Sequence, residues 1–162
     1  MGCEVALTRY ASAMTLEGAG AEPVFRWPLR VYWEDTDGAG IVYYANYLKF
    51  LERARTELLR AWGCDQHELA RREGVVFVVR GIAVEFLRPA RLDDELNVAV
   101  SRLRAGASRV EMAQYVIRGD ERLLEASVKL ACVRIDTFLP VRLPRSVREL
   151  LAGRSSGRPK TE

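Results

Sequence analysis

An α+β domain, one long helix packed against a single antiparallel sheet, is the fold class this 162-residue sequence predicts. Three observations predict it. Residues 45–62 place Tyr47, Leu51, Ala54, Leu58 and Trp62 close to one helical face, with Lys49, Glu52, Arg53, Glu57 and Arg60 lining the remainder. From Gly74 onward the β-branched and aromatic runs VVFVV, IAVEFL, LNVAVSRL, VEMAQYVI and LLEASVKLACVRI follow one another, separated by turn signals. The order is thus one strand, one long helix, then a run of strands, the segregated α+β pattern.

From the N-terminus, residues 1–24 are rich in Ala, Gly and Glu without a clear period. They read as a flexible extension, with Met14 a second candidate start. Trp27 to Trp33 alternates apolar and polar and predicts the first strand. The tyrosines Tyr43, Tyr44 and Tyr47 open the long helix, roughly 27 Å at 1.5 Å per residue, and Gly63 stops it. A shorter helix over 65–73 holds His67 on its exposed side. Turn signals at 89–94, 105–107 and 119–120 then divide three or four long antiparallel strands, the clearest hairpins being RAGAS and RGDER. RSVRELL predicts a short helix after Pro144. The folded domain is expected over 25–151, and the tail 152–162, where Arg154, Arg158 and Lys160 mix with Gly, Ser and Pro, reads as solvated chain. A single sheet wrapped on one helix leaves edges and a half-covered face, so pairing with a second copy is expected.

Composition removes several function classes. Hydrophobic residues make up 49% and charged residues 29%, a globular balance. No apolar run approaches the ~18 residues that span a bilayer, and the N-terminus lacks the pattern of a signal peptide, so a cytoplasmic protein without membrane insertion is expected. The net charge of +3 comes without a basic stripe interleaved with aromatics, which argues against nucleic acid. Cys3, Cys64 and Cys132 are odd in number and form no C-x-x-C, so neither a disulfide framework nor a zinc site is indicated, and no metal or cofactor is expected. Cys132 reads as a small buried hydrophobe. The only histidine, His67, has no acidic or nucleophilic pattern around it, which leaves no base for a Ser-His-Asp or Cys-His triad.

The chemistry concentrates in WEDTDGAGIVYYANYLKF, residues 33–50. Glu34, Asp35 and Asp37 precede Gly38, Gly40 and the helix. A helix N-terminus carries free N–H groups and a partial positive charge, and can polarise a carbonyl or hold an oxyanion. A carboxylate just ahead of it pairs an acid/base group with an electrophile. The residue pattern alone equally supports Asp37 as a turn residue bonding nearby backbone N–H groups.

EDTDGAGIVYYANYLKFLERARTELLR resembles the signature of the hotdog-fold thioesterases of the 4-hydroxybenzoyl-CoA thioesterase type, with a closer similarity to the acyl-CoA thioesterases associated with the bacterial Tol–Pal envelope system. FVVRGIAVEFLRPARLDDEL, LLEASVKLACVRID and PVRLPRSV are similar to the same branch, so the resemblance covers Phe25 to Leu151. It implies a long helix wrapped by a five- or six-stranded antiparallel sheet, assembly as a homodimer or homotetramer, and active sites at the dimer interface. It also implies hydrolysis of a CoA thioester without metal or prosthetic group, coenzyme A being part of the substrate, with an acyl carrier protein as a further candidate partner. The family's catalytic carboxylate falls on Asp37, and the helix that polarises the thioester carbonyl begins near Tyr44. That branch often carries His where Tyr44 stands here, and the 4-hydroxybenzoyl-CoA enzymes carry Tyr there. Proton transfer then falls to Asp37 or to water.

On this reading Tyr44 offers its backbone N–H to the oxyanion, and Gly40, Val42 and Tyr43 complete the substrate surface. Tyr47, which opens the apolar stripe, belongs to the core, and Asp35 is structural. Glu52 and Arg55, spaced i,i+3, form a surface pair or support the site from behind. Arg88, Arg91, Arg104, Ser108 and Arg109 are candidates for the CoA phosphates, those at the RAGAS hairpin because the family places it near the nucleotide. Two readings compete with a thioesterase: a non-catalytic acyl-CoA or acyl-carrier-protein binding module, and a hotdog dehydratase or isomerase, which would want a histidine paired with a carboxylate.

Overall fold

A computed structural model describes residues 23–155. Residues 1–22 and 156–162, most of the expected extension and tail, lie outside the described residues. Strands β1 (Phe25–Arg30), β2 (Val75–Phe86), β3 (Glu95–Ala105), β4 (Arg109–Arg118) and β5 (Glu121–Arg134) form one antiparallel sheet in the order β1-β3-β4-β5-β2. Helices α1 (Asn46–Ala61), α2 (Gln66–Glu73) and α3 (Arg145–Ser155) complete the elements. The five-stranded α+β hotdog architecture agrees with expectation. VVFVV and IAVEFL are one strand, β2, with an irregularity between Val79 and Gly81. The hairpins at Gly106–Ser108 and Gly119–Asp120 stand where RAGAS and RGDER placed them.

Strand alternation gives the sheet one apolar face. Val98 and Val100 of β3, Met112 and Val116 of β4, and Leu124, Ala126 and Val128 of β5 are buried there. Helix α1 closes over that face with Tyr47, Phe50, Leu51, Ala54 and Leu58, at the periodicity read from the sequence. Each such buried Val, Leu, Met or Phe side chain contributes about 1.5–3 kcal/mol of transfer free energy. Gly63, at φ +78°, takes the left-handed conformation that ends α1, which a side chain would resist. Cys132 is buried as expected, and burial raises its thiol pKa.

Three boundaries differ from expectation. The first strand ends at Arg30 and does not reach Trp33. Trp33–Asp35 is a single 3-10 turn, because the Asp35 carboxylate accepts the Tyr32 N–H (2.9 Å) and the Thr36 N–H donates to Trp33 O (3.1 Å). Helix α1 begins at Asn46, and α3 runs past the expected domain end to Ser155. Among the described residues no helix is long and apolar enough to cross a membrane.

Candidate active site

The acidic-glycine segment folds as a small closed turn. Thr36 and Val42 pair as an isolated antiparallel bridge; the Asp37 N–H donates to Ile41 O (2.9 Å) and the Gly40 N–H to Asp37 O (3.0 Å). Gly40 sits at φ +73°, where other residues are strained. The Ala39 N–H donates to Asp37 Oδ1 (2.8 Å), so the turn role of Asp37 is real. Its Oδ2 has no partner among the described residues, and the side chain is exposed. One carboxylate oxygen fixes the turn and the other is free for chemistry.

Asp35 does different work. It is buried, its carboxylate holds the Tyr32 N–H, and its carbonyl accepts the Tyr43 N–H (2.9 Å) and Asn46 Nδ2 (3.0 Å). This ties the turn to the first residue of α1. A second tie runs to the β2–β3 connection: the Val42 N–H donates to Ala90 O (2.9 Å), and the Ala90 N–H donates to the Tyr47 hydroxyl (2.8 Å). Tyr47 is buried as expected, and burial raises its phenol pKa. Val42, also buried, is part of this scaffold and not an exposed substrate surface.

Tyr43 and Tyr44 stand exposed at the mouth of α1, ring centroids 4.6 Å apart. Tyr44 meets Phe86 edge-on at 6.5 Å, and Phe86 meets Tyr47 at 5.8 Å. Among the described residues the Tyr44 N–H makes no hydrogen bond. Carboxylate, free donor and aromatic surface therefore share one end of the molecule. Phe86 escaped the sequence reading. Its only signal was parity: it shares the core-facing side of β2 with Ile82 and Val84, yet half of it is exposed.

The expected Glu52–Arg55 pair does not bond to itself. Glu52 Oε1 accepts the Thr56 hydroxyl (2.8 Å), while Arg55 Nη1 donates to Gln114 Oε1 (2.8 Å), and Gln114 Nε2 donates to Leu51 O (3.0 Å). Gln114 is fully buried on β4, so this network bolts α1 to the sheet. Burial lowers the Arg55 pKa, and nearby Glu52 works against that.

The CoA-phosphate candidates separate into two groups. Arg88 and Arg91 lie at the Asp37 end: Arg88 pairs with Glu121 (2.8 Å) and Arg91 bridges Ile41. Arg104, Ser108 and Arg109 line an open cleft of about 350 Å³ at the β3–β4 hairpin. That hairpin is at the far end of β3, roughly 30 Å from the Asp37 turn at 3.3 Å per residue. One chain does not bring the two groups together. His67 is exposed on α2. Among the described residues no group of three or more His, Cys, Asp or Glu is placed to hold a metal ion.

Comparison with known proteins gives the family and the fold. Residues 31–151 match the family model of the thioesterase-like superfamily. The acyl-CoA thioester hydrolase YbgC of Escherichia coli O6:H1 (strain CFT073) is 43% identical over 125 residues, covering 76% of this chain and 92% of the relative. The acyl-CoA thioesterase YbgC of Haemophilus influenzae is 40% identical over 124 residues, covering 76% of this chain and 91% of the relative. A crystal structure described as a probable thioesterase from Bartonella henselae superposes with a TM-score of 0.70 at 40% identity, covering 74% of this chain and 98% of that one.

Proposed function

The chain belongs to the thioesterase-like superfamily, and on that premise we propose that it is an acyl-CoA thioesterase whose working carboxylate is Asp37. The observation that carries the assignment is the exposed Asp37 carboxylate, anchored by one oxygen only, at the end of the molecule where α1 opens. A thioester is already activated, because a thiolate leaves readily. Asp37 either adds to the carbonyl carbon, expelling CoA thiolate and leaving a mixed anhydride for water to cleave, or takes a proton from the water that attacks directly. In both routes the carbonyl oxygen becomes an oxyanion. The Tyr44 N–H and the positive end of α1 stabilise it, and loss of one such donor raises the barrier by about 3 kcal/mol.

A second copy completes the site. Strand β2 is an edge of the sheet, and Val79, Ile82 and Phe86 on its core-facing side are 50%, 38% and 50% exposed, beyond the cover of α1. Pairing two β2 strands antiparallel about a two-fold axis satisfies both edges. It also carries the β3–β4 hairpin end of one copy toward the Asp37 end of the other, joining the two groups of candidates that one chain keeps apart.

The test is CoA release from a panel of acyl-CoAs by native protein and by Asp37→Asn. The variant is expected to lose at least ~100-fold in kcat, the lower bound for a positioned acid/base group. Equal turnover by both proteins would remove Asp37 from the mechanism. Acyl-CoA binding by native protein without release of free thiol would instead support the binding-module reading. A single turnover in ¹⁸O-water separates the two routes: direct attack of water always leaves one labelled oxygen in the product acid, whereas only the anhydride route, with water adding at the Asp37 carboxyl carbon, releases an acid with no label and leaves the label on Asp37.

A further inference from the structure

The turn after β5 holds a phenylalanine in an uncommon way. Phe138 has φ +54°, a left-handed conformation that bulky side chains resist, and its ring is 66% exposed. The turn is tightly closed. The Phe138 N–H donates to Arg134 O (2.9 Å), the Arg134 N–H donates to Leu139 O (3.0 Å), and Val133 bridges Pro140. An aromatic ring is thus presented to solvent on a fixed and strained backbone, the kind of feature that persists at ligand sites.

The turn itself holds one ion pair, Arg134 Nε with Asp136 Oδ1 (3.4 Å), and the chain that follows it is basic at Arg142. Beyond the turn the chain runs beside the β3–β4 hairpin: the Cys132 N–H donates to Ser108 O (2.9 Å) and the Leu143 N–H to Ala107 O (2.8 Å). Cys132 and Arg134 are two residues apart on β5, so turn and hairpin are separated by roughly 7 Å along the strand. Arg60, Arg88, Arg118 and Arg145 are all engaged with carboxylates. Arg104, Arg109 and Arg142, grouped at this end, make no ion pair, a trait they share with Arg26, Arg53, Arg80, Arg91, Arg102 and Arg148 among the described residues, so what sets them apart is their grouping beside the cleft. An exposed ring on the turn that leads into this hairpin, together with an open cleft lined by Arg104, Arg109 and one carboxylate, Glu111, suits a planar base carrying phosphates.

We propose that Phe138 is the stacking platform for the adenine of the coenzyme, with Arg142 joining Arg104 and Arg109 on its ribose phosphate. The inference rests on the thioesterase reading and adds residues to its nucleotide end; by the two-fold pairing the subsite serves the thioester held at the partner's Asp37. It predicts a split between affinity and turnover, because a remote stacking contact made equally in ground and transition states changes KM and leaves kcat alone.

The experiment compares Phe138→Gly, which accepts the left-handed conformation without strain, with native protein on two substrates. One is butyryl-CoA; the other is the butyryl thioester of N-acetylcysteamine, which lacks the nucleotide. The expected result is a roughly tenfold rise in KM for butyryl-CoA with kcat unchanged, and no change for the truncated ester. Binding of adenosine 3′,5′-bisphosphate, measured by calorimetry, should weaken by the same factor. Arg142→Ala should narrow the preference for CoA over dephospho-CoA, which lacks the 3′-phosphate. An unchanged KM and bisphosphate affinity in Phe138→Gly, or an equal effect on both esters, overturns the proposal. If native protein cleaves both esters and the bisphosphate binds independently of Phe138, the subsite falls and the thioesterase reading stands. If neither ester is cleaved but the bisphosphate binds through Phe138, the subsite stands and the thioesterase reading falls.

Discussion

Asp35 and Asp37 occupy the same acidic segment, two residues apart, and their surroundings are opposite: one is buried, the other exposed. Asp35 is buried and spends its carboxylate on the Tyr32 N–H, fixing the 3-10 turn from which the site projects. Asp35→Ala strands that donor and should cost about 1–3 kcal/mol, read as a lower urea midpoint with unchanged slope. Asp37→Asn keeps the oxygen that accepts the Ala39 N–H, so its urea midpoint should match native protein while activity is lost. The paired result separates scaffold from chemistry. At this scale the sequence was informative about residue type and uninformative about partners. The D-x-D pattern marked both acids, and the preference for Asp37 came with the family signature. Arg55 shows the limit: i,i+3 spacing pointed to Glu52, but its guanidinium reaches Gln114, 59 positions away. No local pattern contains that partner.

Among the elements, α1 was the most legible, since five apolar positions at helical spacing define one face. Its start was displaced to Asn46 because the entering chain is held by tertiary bonds to Asp35 O and not by a cap at Ala45. Helix α2 has a conventional start. The Asp65 carboxylate accepts the His67 and Glu68 N–H groups (2.7 and 3.2 Å). Those backbone bonds, Glu68 first, lower its pKa below the ordinary 3.8. A depressed folded-state pKa stabilises the fold above the unfolded value, and that contribution disappears as pH falls through the folded value. Native protein should therefore lose part of its thermal stability below about pH 4. Asp65→Asn, which keeps an acceptor and removes the titration, should show a smaller fall in Tm between neutral and acid pH.

At the scale of the whole molecule, the proposed site calls for a second copy. The core-facing side chains of β2 extend past α1, and the hairpin arginines lie a full strand length from Asp37. Ile82→Arg places a charge at the middle of the exposed edge. It should yield a monomer by sedimentation equilibrium, with acyl-CoA hydrolysis lost while the protein stays folded by circular dichroism. A variant that remains dimeric, or a monomer that retains full activity, would remove β2 from the assembly.

The sequence by itself determined the class of the fold, the central helix, both hairpins and the family signature around Asp37, because periodicity and turn chemistry are local and survive without coordinates. Only the tertiary structure decided which side of Asp37 is free, that Gln114 receives Arg55, that Phe86 backs the tyrosines, and that the chain following Phe138 returns beside the β3–β4 hairpin. Those facts depend on strand register and on contacts between residues far apart in the chain, and a linear pattern carries no record of which distant backbone a side chain will meet.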